Sequence, residues 1–183
     1  QVWDPRAHQV VEEFTDFLYP FDTLRFQGDL VVAEVGTGSV VAQDADGDRT
    51  TLASGLWWPA GLAATDTDLW VADWATGQIH QVAGVGASRV VASGLSFPEG
   101  MTMDRDGSLL VVESGAGQLT RIDLATGEKS TVADELATDV QGPFNLGSGE
   151  MSGVAVDSTG TVFVSAAGLE GSVIYRITAV PAR

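Results

Sequence analysis

The strongest constraint in this sequence is that it repeats itself. The stretch GLWWPAGLAATDTDLWVADWATGQIHQV, residues 55 to 82, returns downstream as GLSFPEGMTMDRDGSLLVVESGAGQLTRIDLATGEKSTVA. Both hold, in the same order, a Gly-Leu, a proline, a Gly-apolar strand, a turn, a strand ending in an acid and a glycine-led strand. Upstream, YPFDTLRFQGDLVVAEVGTGSVVAQDADGDRTTLA fits the same frame, and GEMSGVAVDSTGTVFVSAAGLEGSVIYRIT fits its first three strands. The anchors Leu30, Leu69, Leu109 and Val162 are spaced by 39, 40 and 53 residues. A period of about 40 made of short strands is that of a four-stranded propeller blade, which cannot bury its faces alone and must stack on its neighbours.

The patterning inside each unit agrees. The second strand is apolar on both faces (Leu30-Val31-Val32, Leu69-Trp70-Val71, Leu109-Leu110-Val111, Val162-Phe163-Val164), as a sheet packed between two other sheets requires. DRDG at 104 to 107 and DSTG at 157 to 160 supply the first hairpin turn, and DADGD and LATGE the third. The expected fold is therefore all-β, a propeller of four-stranded antiparallel blades. Residues 1–18 read as the outer strands of a preceding blade and 19–54, 55–93 and 94–136 as three full blades. Residues 137–178 read as a fourth blade with a long lead-in loop, and 179–183 as a tail. The strands number 17: two, then four in each of three units, then three. A six-bladed ring needs six sets of four, so about seven more strands, or roughly 70 to 80 residues, are expected to complete it. A four-bladed ring is the alternative. Strand edges left open at the two ends would invite self-association.

Composition narrows the partners. Against 25 acids there are nine basic residues, giving a net charge of −16, and no basic stripe offers counterion release, so nucleic acid is excluded as a partner. Lys129 is the only lysine, a bias consistent with a carboxylate-rich surface suited to salt. No apolar run reaches the length of a membrane span, and the first 20 residues lack the pattern of a signal peptide. The absence of cysteine removes disulfides and thiolate metal sites without fixing a compartment, so an extracytoplasmic location stays open.

The frame P-x-G-apolar, turn, L-x-V-x-(D/E), G-x-(I/L/V) resembles the six-bladed propeller superfamily of gluconolactonase-like, strictosidine-synthase-like and NHL-repeat proteins. The resemblance covers nearly the whole chain. It implies the fold more sharply than the activity, because that superfamily holds lactonases, phosphotriesterases, synthases and non-catalytic binders. In its gluconolactonase-like members a divalent cation, calcium among them, sits in the central channel on Glu, Asn and Asp side chains at the x of P-x-G. Here that position is Phe21 (with a one-residue offset), Ala60, Glu99 and Ser152. Glu99 alone matches, so a metal centre would need further ligands, for which Asn145, Asp139 and Glu150 are candidates.

Other residues bear on binding. Glu34, Asp73 and Glu113 end the second strands on the face of the P-x-G positions, where they either form an acidic mouth or, the favoured expectation, cap the glycine turns that follow by accepting backbone N–H bonds. DADGD has the spacing of a calcium loop at its start, but Arg49 stands where the loop needs glycine and Gly55 where it needs its last acid. His8 and His80 fall toward the rim, and no G-x-S-x-G elbow is present, which disfavours triad chemistry. Trp57, Trp58, Trp74 and Phe97 approach one face, either as interblade plugs or as a platform for a sugar ring, an amine or an apolar ligand. The insertion at 135 to 150 brings Phe144, Asn145 and Glu150 to the same face. Two functions follow. One is a propeller that binds a small molecule, carbohydrate or protein at the channel mouth; the other is a metal-dependent hydrolase or lactonase built on Glu99.

Overall fold

In the computed structural model, residues 2–138, 152–168 and 171–178 are described, and they form 17 strands. The hairpin β1 (Val2–Asp4) and β2 (Gln9–Glu12) is a sheet of its own. Blade 1 follows in the order β3 (Pro20–Phe26), β4 (Asp29–Glu34), β5 (Ser39–Gln43), β6 (Arg49–Ala53). Blade 2 is β7 (Pro59–Ala64), β8 (Leu69–Asp73), β9 (Gln78–Val82), β10 (Ser88–Ala92). Blade 3 is β11 (Pro98–Met103), β12 (Leu109–Glu113), β13 (Gln118–Ile122), β14 (Lys129–Ala133). Blade 4 has three strands among the described residues, β15 (Gly153–Val156), β16 (Val162–Gly168) and β17 (Gly171–Ile177). Every pairing within a blade is antiparallel between chain neighbours, the meander that a repeated hairpin signal dictates. The fold is an all-β propeller. Among the described residues no helix is long and apolar enough to cross a membrane.

The apolar second strands explain the stacking. Leu69 and Val71 enter the core shared with blade 1, beside Val31 and Val40, whereas Trp70 and Ala72 enter the core shared with blade 3, beside Leu109 and Val111. One blade later Leu110 and Val112 turn to blade 4 and meet Val162 and Val164. Period-two alternation thus serves two cores at once, and burial of each such side chain contributes about 1.5–3 kcal/mol.

Glycine closes each junction at one fixed point. Gly38, Gly77 and Gly117 sit in the turn between second and third strands with φ of +62°, +65° and +61°. Their carbonyls accept the N–H of Leu56, Leu95 and Leu136, the residue that leads into the next blade, at 3.0, 3.0 and 2.8 Å. A Cβ there would lie 2.3, 2.2 and 2.8 Å from the carbonyl oxygen of that same leucine, so only glycine allows the approach.

Candidate functional site

The second-strand acids are buried, and they hold the chain rather than line an open mouth. Asp73, 2% exposed, accepts the N–H of Trp57 and of Trp58, each at 3.0 Å. Glu34 accepts the Leu18 N–H at 2.6 Å and the Thr37 hydroxyl. Glu113 accepts the Ser96 N–H at 2.7 Å, the Gln118 amide at 2.8 Å and the Thr120 hydroxyl. The backbone donors come from the segment that precedes each blade's own first strand. The expectation that these acids cap the following glycine turn is thereby corrected, for a reason of topology. The first strand runs beside the second, so its lead-in lies next to the second strand's end, and its unpaired N–H groups need an acceptor.

The innermost strands of the four blades surround a cavity of about 350 Å³ whose wall includes Asp22, Leu62, Glu99, Met101, Ser152 and Ser165. Glu99 is 2% exposed, and its Oε2 accepts the Ser152 N–H at 2.9 Å, tying blade 3 to blade 4. Burial pushes its carboxyl above the ordinary range, while the Ser152 N–H bond, with the Ser114, Ser152 and Trp74 side chains nearby, favours its charged form. Asp22 does the corresponding work between blades 1 and 2, its Oδ2 accepting the Leu62 N–H at 2.7 Å and its Oδ1 the Thr23 N–H at 2.7 Å. Burial raises its carboxyl too, against those two backbone bonds.

Asp22 was hidden in the sequence by an assumed offset. The register pairs Pro20 with Glu34 and Asp22 with Ala33, just as Pro59 pairs with Asp73, so Phe21 stands level with Ala60 and no offset exists. Asp22 therefore occupies the glycine of P-x-G. At Gly61 a Cβ would come within 2.1 Å of the Glu99 carbonyl oxygen, which is why that level elsewhere carries no side chain. An acid at a glycine position of the repeat was the available signal.

An aromatic row runs along the segments that lead into the innermost strands. Trp74 stacks on Phe97 with centroids 4.5 Å apart, Trp58 lies 5.7 Å from Trp74, and Tyr19 meets Trp58 edge-on at 6.3 Å. Tyr19, Trp58 and Phe97 are the residues before the proline in blades 1, 2 and 3, and Trp74 is slotted between two of them. Trp74 is buried and is an interblade plug, whereas Trp57 is 78% and Tyr19 62% exposed. The row includes Tyr19, which sequence reading missed. Phe144, Asn145, Glu150 and Asp139 lie outside the described residues.

No protein-family model and no curated protein sequence matches this chain. Among solved structures it is similar to virginiamycin B lyase from Staphylococcus aureus, with 14% identity and a TM-score of 0.64 over 90% of this chain and 56% of that one. A luciferin-regenerating enzyme is similar at 16% identity and a TM-score of 0.64, over 87% of this chain and 61% of that one. A chain of a nidogen/laminin complex is similar at 17% identity and a TM-score of 0.63, over 85% of this chain and 58% of that one. The chain spans little more than half the length of these structures. The likeness is one of β-propeller fold, shared by enzymes and by a protein–protein complex.

The chemistry open to the site follows from its donors. Among the described residues no group of three His, Cys, Asp or Glu side chains converges as metal ligands do. Asp22 and Glu99 are two carboxylates whose oxygens already accept backbone N–H groups, short of the six to eight oxygens calcium takes, at about 2.3–2.6 Å. The described residues do not by themselves fit a divalent cation, so no step is routed through one. DADGD is a hairpin in which Asp44 Oδ1 accepts the N–H of Asp46 and of Asp48, each at 2.9 Å. His80 lies in β9 away from the channel, its Nδ1 3.2 Å from the Ser88 hydroxyl, and burial lowers its pKa against the charge of Asp73. What remains is a recess whose wall holds two carboxyls raised by burial, and an aromatic row on the segments that lead into its innermost strands.

Proposed function

We propose that this chain contributes four blades to a six-bladed propeller that binds a ligand on its channel-mouth face, without chemistry of its own. The observation that carries the reading is an aromatic face, with Trp57 and Tyr19 exposed and Tyr19, Trp58, Trp74 and Phe97 in one row, on the segments that lead into innermost strands which themselves line a recess of about 350 Å³. Concave sites with a few fixed polar groups amid apolar surface are the usual form of a small-molecule site. Coverage of 56–61% of similar propellers supports a ring larger than the blades described.

The five tryptophans make the test direct. A panel of sugars, amines and apolar fragments is titrated while the indole N–H signals are followed by NMR. A ligand of this face shifts Trp57, Trp58 and Trp74 and leaves Trp70, in the core between blades 2 and 3, in place. Hits that move none of the three would overturn the reading. A cation arm addresses the metal-dependent hydrolase: calcium at about 100 times its Kd adds roughly 2.7 kcal/mol of stability. A rise in Tm abolished by Glu99→Gln and kept in Asp46→Asn would favour the gluconolactonase-like enzyme instead.

A further inference from the structure

We infer that the occupant of the mouth face is a cationic segment of a protein partner, a peptide presenting arginine or lysine to the exposed aromatic rings. This rests on the mouth-face reading and narrows it to one chemistry. Four observations carry it.

The face displays large apolar side chains to solvent. Leu18 is 60%, Tyr19 62% and Trp57 78% exposed, and tryptophan and tyrosine are the residues that most often dominate the energy of protein interfaces. Two rings of the row are held there at a cost. Tyr19 and Phe97 have φ of +57° and +52°, a left-handed conformation that bulky side chains avoid and that persists only where the surroundings impose it.

The charge beneath the rings is negative and lacks a basic counterpart. Glu34, Asp73 and Glu113 are all buried against the lead-in segments that carry the row, and they accept from backbone N–H groups, hydroxyls and one amide. The segments that build this face, residues 17–20, 34–39, 54–59, 73–78, 93–98 and 113–118, contain no lysine, arginine or histidine. Lys129 reaches only its margin from β14, its ammonium 2.7 Å from the Ser93 carbonyl. A cation over an aromatic face is attracted by the ring quadrupole, and buried anions behind the ring add to the same potential.

The fold already uses this contact. Immediately before Leu18, Arg49 lies over the Phe17 ring at 4.0 Å and Arg25 over the Phe14 ring at 5.7 Å. At longer range a net charge of −16 steers a positive partner toward the chain. Area and charge together favour a peptide segment, which spans from Tyr19 to Trp57 and fills apolar surface as well as placing a cation.

The experiment titrates the labelled chain with four probes: an acetylated peptide of alternating arginine and leucine, its citrulline isostere, argininamide and maltotriose. The arginine peptide should shift the Trp57 and Trp58 indole signals and bind roughly threefold to thirtyfold tighter than the citrulline peptide. Trp57→Ala and Tyr19→Ala, both at exposed positions, should each weaken it by a similar factor while far-UV circular dichroism shows the fold retained. Asp46→Asn, on the opposite face, should leave the affinity unchanged, which separates a docked peptide from diffuse attraction to an acidic surface. Equal binding of the citrulline peptide would overturn the cation inference and leave the mouth-face reading standing. Argininamide binding as tightly as the peptide would overturn the peptide in favour of a small organic cation. Binding indifferent to Trp57→Ala and Tyr19→Ala, with no probe moving the mouth indoles, would overturn both.

Discussion

Blades 2 and 4 carry the same frame and fasten it differently. In blade 2, Asp73 at the end of the second strand takes both N–H groups of the lead-in, at Trp57 and Trp58. In blade 4 the position that matches Asp73 is Ala166, whose side chain offers no acceptor, and the described tie runs from the Ser152 N–H, at the position that Ala60 holds in blade 2, to Glu99 of the blade before. The junction glycine repeats the contrast, since Gly77 would press a Cβ to 2.2 Å from its leucine carbonyl and Gly117 to 2.8 Å. Blades 1 to 3 are thus locked from within. Blade 4 is tied to its neighbour through Glu99, which walls the channel as Asp22 does between blades 1 and 2. A carboxylate in a repeat acquires its role from the N–H that claims it, so Glu99 is a brace and a channel wall together.

Removing the internal lock should give the largest effect. Asp73→Ala leaves two buried donors without their charged acceptor, a loss of about 3–5 kcal/mol. At about 2–4 °C per kcal/mol for a chain of this size, Tm should fall by on the order of 10 °C. Asp73→Asn keeps one acceptor oxygen and should fall less. Circular dichroism melts read both, and a Tm for Asp73→Ala within a degree of wild type would break the contrast with Ala166.

Much of this lock was legible in sequence and its wiring was not. Four units, 17 strands and the acids at the second-strand ends could be read from spacing, because hairpin turns and two-faced apolar strands repeat with little variation. The partner of Asp73 could not, because the lead-in meets the second strand only after the first strand has paired with it. Asp22 was missed because a glycine position filled by an acid looks like a shifted frame until the pairing of Pro20 with Glu34 fixes the register. Of the aromatic residues, Trp57 and Trp58 are adjacent in sequence, yet one is exposed and the other stands in the row, as side chains alternating across an extended segment must.

The junction glycines sharpen the comparison at the next scale. Gly77→Ala combines the penalty of a side chain at φ +65° with a backbone clash that neither strand can relieve alone, about 2–4 kcal/mol in all. Gly117→Ala has nearly the same φ but a wider approach, and should cost about 1–2 kcal/mol. Chemical denaturation of the two variants measures the difference. If both lose the same stability, the junction of blades 3 and 4 is as tight as the others and the neighbour-held picture of blade 4 fails.

The smallest effect separates the channel acids from the hairpin acids by the sign of their response to pH. Burial raises the carboxyls of Glu99 and Asp22 above their unfolded values, so the folded chain binds these protons more readily than the unfolded one. The stability they contribute is full below about pH 4, where unfolded carboxyls are protonated, and is lost as pH rises through the folded-state values. Glu99→Gln and Asp22→Asn carry no such charge and escape the loss, so their Tm relative to wild type should climb between pH 4 and pH 7. Asp157, in the turn between β15 and β16, behaves the other way. The Thr159 hydroxyl and the Thr161 backbone hold its carboxyl below the ordinary range, so its contribution is present at neutral pH and lost as pH falls through the folded value. Asp157→Asn should therefore melt below wild type at pH 7 and converge with it in acid. Parallel melting curves for all three variants would mean that burial leaves no mark on the channel pair, and that Asp22 and Glu99 differ from a surface turn in position alone.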